Sequence, residues 1–299
     1  MKILSFGSMN IDNTYSVDEF VQPGETITAK NLSKFCGGKG LNQSIALASA
    51  GADVAHFGCV GEDGDILLDM LKSRGVNTDS VIKIDNITSG HAIIQVDSHG
   101  QNSILLYPGA NRRMTPELID RELEKYSCGD WLLIQNETNC LEYIMRAANK
   151  KGMKIAFNPS PMDGTVSTLP LELVDLFLVN EIEGAAVTGK EITEEITAEF
   201  KKLFPNAAVI LTLGKKGSIF KSEKDMLFQP SYCGTVKDTT GAGDTYTGFF
   251  IANYIKGVSP QECMRIAAMA STVQISRDGA AIAIPKKQEV LNALKNHCR

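Results

Sequence analysis

Short apolar runs alternate with longer stretches of helical period along most of the chain. Ile3 to Phe6 has the composition of a buried strand, and residues 39–50 have the period of a helix. Repeated strand–helix alternation predicts an α/β fold, a doubly wound, mostly parallel sheet with helices on both faces. Further strands are predicted at 53–59, 131–135, 154–157, 175–179 and 209–213, and further helices at 64–74, 139–151, 181–188, 193–203, 243–256, 260–275 and 286–296.

Two stretches interrupt this rhythm. Residues 13–35 and 88–108 alternate polar and apolar positions without an intervening helix, and Ser98 to Gln101 has the composition of a hairpin turn. They predict antiparallel strands in a small second sheet, either a lid over the site or an extension of the main sheet's edge. Because we find no linker, internal repeat or low-complexity tract, we expect residues 1–299 to form a single domain.

Composition and charge limit the classes of function. Hydrophobic residues make up 43% of the 299 residues and charged residues 22%, which is typical of a soluble globular protein. The net charge is −5 and no long run of Lys or Arg is present, which argues against a nucleic-acid partner. No apolar run reaches the length of a membrane span, and the amino terminus lacks the apolar segment of a signal peptide.

The cysteines indicate a reducing environment. Their number is odd, they are widely spaced, and none forms a Cys-x-x-Cys pair. A disulfide framework or a zinc site is therefore not expected, and the cytoplasm is the expected location. The seven cysteines are Cys36, Cys59, Cys128, Cys140, Cys233, Cys263 and Cys298.

The most informative segment is 238–248. Small residues at Gly241 to Gly243 permit close approach by a ligand, and Thr245 to Ile255 has helical period, so the turn presents free N–H groups to an anion. Asp244 would repel a bound phosphate unless it takes a proton from an attacking hydroxyl. Capping of the helix by Asp244 is the alternative. A dinucleotide-binding loop fits poorly, because Tyr246 stands where the third glycine belongs.

Two earlier segments have the composition of a ligand site. Gly37 and Gly38 precede a helix and allow backbone approach, while Asn42 offers a donor and an acceptor to a hydroxyl. Asn10 and Asp12 follow the first strand two positions apart, so an extended chain points both to one side. Ordinary turn formation explains either segment alone equally well.

Together these stretches resemble the ribokinase-like (phosphofructokinase-B) family of sugar and nucleoside kinases. The resemblance covers nearly the whole chain in the family's order, and the Gly-Ala-Gly-Asp stretch is the family's strongest motif. The glycine–lysine motif and the Asn-x-Asp segment are most similar to those of ribokinases. The matching segments are Gly7 to Asp12, Pro23 to Thr26, Gly37 to Gln43, Gly109 to Asn111, Asn158 to Pro161, Asn180 to Glu183, Leu211 to Gly217 and Gly241 to Asp244.

The resemblance implies a role for each matching residue. Asp244 is expected to be the catalytic base, and Gly241, Ala242 and Gly243 to form the turn that stabilises charge on the transferred group. The expected sugar-binding residues are Asn10, Asp12, Gly38, Lys39, Asn42, Glu137 and Asp244. The expected nucleotide-binding residues are Asn180, Thr212, Leu213, Gly214, Lys215, Lys216 and Gly217.

The resemblance also implies two metal ions. Glu183 is expected to organise Mg²⁺ through water. An activating monovalent cation, K⁺, is expected beside the anion turn, where its field would polarise the turn. Two positions depart from ribokinases: Ala283 replaces a common hydroxyl ligand of the cation, and Gly241 replaces an alanine. The expected cation ligands are Asp238, Thr240, Gln274, Arg277 and Gly279.

The expected activity is transfer of the γ-phosphate of ATP to the primary hydroxyl of a small carbohydrate. The polar residues of the sugar motifs favour a bare pentose, D-ribose, which would give ribose 5-phosphate. Another sugar, a nucleoside, or a non-catalytic sensor on the same fold are the alternatives, and retention of Asp244 argues against the sensor. A homodimer formed through the lid is expected, with no nucleic-acid or membrane partner.

Overall fold

A nine-stranded sheet forms the central layer of the protein, whose computed structural model describes residues 1–297. Seven neighbouring strands run parallel, and the last two at one edge are joined to them and to each other by antiparallel pairing. This confirms the predicted doubly wound, mostly parallel architecture. The order is β13 (Met226–Gln229), β12 (Ser218–Lys221), β11 (Ala208–Thr212), β10 (Leu176–Asn180), β9 (Lys154–Asn158), β8 (Trp131–Gln135), β1 (Ile3–Phe6), β4 (Val54–Val60) and β5 (Val81–Lys83).

Helices cover both faces of this sheet. Phe249 and Met264 are buried in the apolar cluster beneath one face, and Ile144 and Phe200 beneath the other. Burial of these apolar side chains holds the helices to the sheet. The first face carries α1 (Lys39–Ser49), α2 (Asp65–Ser73), α7 (Ala242–Tyr254), α8 (Pro260–Gln274) and α9 (Lys287–His297), and the second carries α3 (Pro116–Leu123), α4 (Leu141–Lys150), α5 (Glu181–Thr188) and α6 (Thr193–Leu203).

The predicted strands and helices are confirmed, with ends that differ by about two residues at most. Sequence analysis missed β5, α3 and the β12–β13 hairpin. The three strands have three or four residues each, which is too short to show a period. Helix α3 did carry a signal, because the Thr115 side chain caps it and Pro116 occupies its first turn.

A separate four-stranded sheet, here called the lid sheet, consists of β2 (Asn10–Ser16), β3 (Asn31–Gly37), β6 (Gly90–Val96) and β7 (Asn102–Tyr107), in the order β3-β2-β6-β7. The two outer pairs are antiparallel, as predicted, and the β6–β7 turn spans 97–101. The central pair β2–β6 is parallel, which corrects the expectation of antiparallel strands throughout. The pairing is parallel because β2 and β6 are far apart in the chain and both leave the main sheet in the same direction.

Parallel strands bring their carboxyl ends to one edge of the main sheet. Asn158 ends β9, Asn180 ends β10 and Thr212 ends β11, while Glu137 lies just beyond β8. Ligands of open α/β sheets bind at this edge. Within residues 1–297, no helix combines the length and apolarity needed to cross a bilayer.

The cysteines of the described region carry free thiols at all six positions. Cys298 lies outside the described residues.

Candidate active site

The first turn of α7 presents a carboxylate at the amino end of a buried helix. Gly241 precedes the helix with φ of 78°, a left-handed conformation that glycine adopts without strain. Ala242 and Gly243 follow, and Asp244 lies in the first turn with only 8% of its surface exposed. First-turn N–H groups have no partner within the helix and lie at its positive end, so this turn attracts anions. The anion turn and the candidate base therefore share one helix end.

Two amides from α1 hold the Asp244 carboxylate. Asn42 Nδ2 donates to Oδ2 at 3.0 Å, and Gln43 Nε2 donates to Oδ1 at 2.9 Å. Gln135 Nε2 in turn donates to Gln43 Oε1 at 2.8 Å. The carboxylate is thus oriented before any ligand binds, as a positioned base requires.

Gln43 is a functional residue that sequence analysis missed. It was quoted only as the last residue of the glycine–lysine motif. It also donates to Asn158 Oδ1 at 3.2 Å, which links α1 to the end of β9. Its place beside Asn42 was the only sequence signal, and neighbouring helix positions do not share a face.

A second group of polar side chains joins the lid sheet to the main sheet. Glu137 accepts hydrogen bonds from the Ser8 hydroxyl and, at 3.1 Å, from the backbone N–H of Lys39. Asn10 is buried, and its Oδ1 accepts from Asn111 Nδ2 at 2.8 Å. Asp12 follows on the same face of β2. The residues predicted to bind sugar therefore lie where the lid sheet meets the edge of the main sheet.

Gly38 is required by the backbone at this junction. Its φ is 92°, and a Cβ built there would lie 3.0 Å from the backbone nitrogen of Asn10. Only glycine fits this conformation and this spacing. Gly38 thus sets the distance between α1 and β2 rather than contributing a side chain.

The electrostatics of this cluster are unusual. Burial raises the pKa of Asp12 to about 7, and the neighbouring Glu137 carboxylate adds to the rise. Burial likewise raises the pKa of Glu137, although Lys39 opposes it. Burial lowers the pKa of Lys39, but the surrounding carboxylates, Asp244 first, outweigh it and leave that pKa raised. Perturbed groups of both signs in one cleft are typical of functional sites.

A cavity of about 230 Å³ adjoins the anion turn. Asn180 and Glu183 form a reciprocal capping box at the start of α5, with Glu183 N donating to Asn180 Oδ1 at 2.9 Å. Lys39 also lines this cavity, and its charge interacts with Asp244 of the anion turn and with Glu137 beside the lid sheet. The wall includes Lys39, Asn158, Ser160, Asn180, Glu183, Thr212, Thr239, Tyr246, Thr247 and the turn from Gly241 to Asp244.

The predicted nucleotide-binding loop is only partly on this wall. Thr212 lines the cavity, but the Leu213 side chain is buried in the core and does not. The residues from Gly214 to Lys216 form a short 3₁₀ turn that ends at Gly217. Lys216 Nζ lies 3.8 Å from Glu181 Oε1, which places this turn beside the start of α5. The Leu213 side chain therefore packs in the core, and the turn that follows lies beside the start of α5.

The residues expected to bind K⁺ meet behind the anion turn, but their contacts do not fit a cation. Asp238 Oδ1 accepts from Thr240 N at 2.8 Å, and Oδ2 accepts from Gly279 N at 2.9 Å. The carbonyl oxygens of Thr240 and Gly279 accept from the Gln274 side-chain amide. The Arg277 guanidinium pairs with Glu289 on α9.

Magnesium would find few direct ligands. Among residues 1–297, no cluster of three or more His, Cys, Asp and Glu side chains could hold a metal ion. Glu183 is buried, and its two oxygens accept from Asn180 N and Nδ2, both at 3.0 Å. A carboxylate already engaged in this way suits a contact through water, since Mg²⁺ usually retains several waters.

An oriented carboxylate, an anion-binding turn and an adjoining polar cavity define an enzyme of phosphoryl transfer to a hydroxyl group. The model of the pfkB family of carbohydrate kinases matches residues 1–287. The chain belongs to this family of carbohydrate kinases. This confirms the resemblance noted in the sequence.

Relatives and solved structures of the family match the chain along nearly its full length. A ribokinase of Haemophilus influenzae is 33% identical over 97% of both chains. A deoxyribokinase of Salmonella typhi is 29% identical, again over 97% of both chains. The structure of Arabidopsis thaliana ribokinase complexed with ribose and ATP superposes with a TM-score of 0.85, 29% identity and 98% coverage of both chains.

Proposed function

We propose that this carbohydrate kinase transfers the γ-phosphate of ATP to the primary hydroxyl of D-ribose, giving ribose 5-phosphate and ADP. The observation that carries the proposal is the Asp244 carboxylate, held by two amides beside an anion turn. Asp244 accepts the proton of the sugar hydroxyl as that oxygen bonds to the γ-phosphorus. The bond from phosphorus to the bridging oxygen breaks, and ADP leaves with the electron pair.

The proposed roles of the surrounding residues follow from their places. Asn10, Asp12, Asn42 and Glu137 accept and donate hydrogen bonds to the sugar hydroxyls, and Gly38 lets the backbone approach the sugar. Lys39 faces both clusters and offsets negative charge between them. The turn of Gly241, Ala242 and Gly243 stabilises charge on the transferred group. Asn180, Thr212 and the turn at Gly214 to Gly217 contact the nucleotide.

Magnesium is proposed as the partner of the nucleotide phosphates. When bound, it neutralises charge on the phosphate oxygens. Glu183 would hold it through water, and the capping box with Asn180 keeps the Glu183 carboxylate in place.

Deoxyribose is the second candidate acceptor, because a deoxyribokinase is among the full-length relatives. The two sugars differ only in the 2-hydroxyl. A site built to hydrogen-bond that hydroxyl discriminates strongly against the sugar that lacks it. The preferred sugar therefore depends on whether one of the proposed sugar-binding side chains forms a hydrogen bond with the 2-hydroxyl.

The first prediction tests the chemistry and the acceptor together. A coupled assay of ADP formation over a panel of pentoses, hexoses, deoxyribose and nucleosides should show ribose as the best acceptor. Asp244→Asn should lower kcat by about 10²–10⁴-fold, because the change removes the basic carboxylate and also costs the hydrogen bond from Asn42 or from Gln43. Calorimetry should show that the variant still binds ribose. A variant with more than about a tenth of wild-type turnover would exclude Asp244 as the base.

A homodimer formed through the lid sheet is also proposed. Ile104, Leu105, Leu106 and Tyr107 of β7 are all exposed, with Leu105 at 68%. Successive residues point to opposite faces of a strand, so both faces of the lid sheet present apolar surface. A second copy of the chain would cover it.

We further propose that the chain is one kinase domain and that it acts in the cytoplasm, where ATP is available.

A further inference from the structure

Gln274, the last residue of α8, is completely buried behind the anion turn. Its Nε2 donates to the Thr240 carbonyl oxygen at 2.6 Å and to the Gly279 carbonyl oxygen at 3.3 Å. Its Oε1 is buried and has no hydrogen-bond partner among the described residues. A buried oxygen that accepts no hydrogen bond destabilises the folded state, so the protein retains the Gln274 amide despite this penalty.

The two carbonyls belong to segments that the anion turn depends on. Thr240 directly precedes Gly241, and Gly279 lies in the segment that follows α8. Asp238 ties the same two segments together through the backbone N–H groups of Thr240 and Gly279. With their N–H groups held by one carboxylate, the two residues turn their carbonyl oxygens toward the Gln274 amide.

Two converging carbonyl oxygens repel each other unless something positive lies between them. A cation can fill that place, and so can a group with two N–H donors. The amide nitrogen of glutamine carries two such donors. The Gln274 backbone carbonyl accepts from Arg277 N at 3.0 Å, and Ala283 has no side-chain oxygen to offer. Apart from Gln274 Oε1, the oxygens of Asp238, Thr240, Gln274 and Gly279 named here already accept hydrogen bonds from the chain itself.

We propose that Gln274 is a positioning residue whose side-chain amide stands in for the activating cation. It holds the carbonyls of Thr240 and Gly279 together and so fixes the anion turn beside Asp244. The kinase then needs no monovalent cation for full activity. This proposal rests on the proposed function, because its consequence is measured in phosphoryl transfer, and it replaces the expectation of K⁺ activation.

The test compares wild type with Gln274→Ala in potassium chloride and in N-methylglucamine chloride at equal ionic strength. Wild-type kcat should differ by less than about twofold between the salts. Gln274→Ala removes the amide and opens its space, so its kcat should fall by about tenfold without potassium and recover when potassium is added. Its Tm, measured without nucleotide or sugar, should rise with potassium, while that of wild type should not. Gln288→Ala, at an exposed glutamine of α9, is the matched control and should behave as wild type.

Several results would overturn the proposal. One is activation of the wild type by potassium of more than about tenfold, which is the behaviour of an open cation site. Another is a Gln274→Ala protein whose kcat and Tm do not change when potassium is added. Should that variant not fold, Gln274→Met keeps the volume, and its kcat should be low in both salts. A wild type that phosphorylates no sugar defeats the proposed function, and the Tm comparison still decides the role of Gln274.

Discussion

Asp12 and Glu137 place two carboxylates in one desolvated volume, and the pKa of Asp12 rises to about 7 as a result. Below that pH Asp12 is protonated, and above it the carboxylate is ionised. Hydrogen bonds from sugar hydroxyls to an ionised carboxylate are stronger than those to a neutral acid. Sugar binding should therefore weaken as the pH falls through 7.

The second prediction is that KM for the sugar rises several-fold between about pH 8 and about pH 6, while KM for ATP changes less. Initial rates at saturating ATP measure it. Asp12→Asn should have a higher KM for the sugar that no longer depends on pH over this range. A pH dependence that persists in Asp12→Asn would assign the titration to another group.

At the residue scale, sequence analysis named the candidate chemical groups and missed side chains that hold one of them in place. Asp244 was predicted because a carboxylate and a bound phosphate repel each other, so a carboxylate at an anion site is expected where it accepts a proton in the reaction. Gln43 was not, because its contact with Asp244 joins residues 201 positions apart. Gln274 was predicted as a cation ligand, whereas its Nε2 donates to two backbone carbonyls, and no local pattern shows which way a buried amide points.

At the scale of elements, the packing of α1 against α7 sets the position of the base. Gly248 of α7 lies against α1 so closely that a Cβ there would be 2.7 Å from Leu47 N. Real Cβ atoms do not approach a backbone atom that closely, so a larger residue must push the helices apart. Because Asn42 and Gln43 belong to α1 and Asp244 to α7, such a shift would loosen the hold on the carboxylate.

The third prediction is that Gly248→Ala lowers the free energy of unfolding by about 1–3 kcal/mol and lowers kcat as well. Urea denaturation and initial rates measure the two effects. Gly164→Ala is the matched control, because no atom lies within 4 Å of a Cβ at that exposed glycine. Equal stability of the two variants would show that α1 and α7 can separate without cost.

A buried histidine couples β4 to α1. His56 is completely buried, its Nδ1 lies 2.8 Å from Ser44 Oγ, and burial lowers its pKa to about 4. The unfolded chain takes up a proton near pH 6.5, whereas the folded protein does so near pH 4. The folded state therefore binds fewer protons between these values, and stability is lost as the pH falls through this window.

The fourth prediction concerns stability in acid. As the pH falls from about 7 to about 5, the titration of His56 should lower the free energy of unfolding by about 2 kcal/mol. His56→Gln should lose less stability than wild type over the same interval, as measured by urea denaturation at each pH. His99→Gln, at an exposed histidine of the β6–β7 turn, should follow wild type. An unchanged slope in His56→Gln would mean that other groups cause the acid sensitivity.

The elements themselves were largely predictable, for a physical reason. Parallel strands buried on both faces are continuous apolar runs, and the helices between them are amphipathic, so both periods are visible. The β12–β13 hairpin was missed because its strands are short. The parallel pairing of β2 with β6 was missed because pairing between distant strands is fixed by how both leave the main sheet, which no local pattern records.

At the scale of the whole molecule, the lid sheet has more apolar surface than one chain can cover. By strand register, Leu106 shares the face of Asp12, and Leu105 lies on the opposite face with Ile93. Leu105 and Leu106 are 68% and 44% exposed. Contiguous exposed apolar surface of this kind marks an interaction site. It lies on the sheet that carries Asn10 and Asp12, which belong to the proposed sugar-binding wall. An interface there would also steady these two residues.

The last prediction is that the protein is a dimer in solution and that the lid sheet forms the interface. Leu105 and Leu106 lie on opposite faces of the lid sheet, so Leu105→Asp or Leu106→Asp buries a charge if the dimer covers its face. At least one of the two variants should therefore be a monomer, as measured by light scattering after gel filtration. The same variant should show a higher KM for the sugar with little change in KM for ATP, because the sugar-binding wall includes β2. Met226→Asp is the control, since Met226 is 55% exposed on the edge strand β13 of the main sheet. A monomeric wild type, or two lid variants that both remain dimeric, would exclude the lid sheet as the interface.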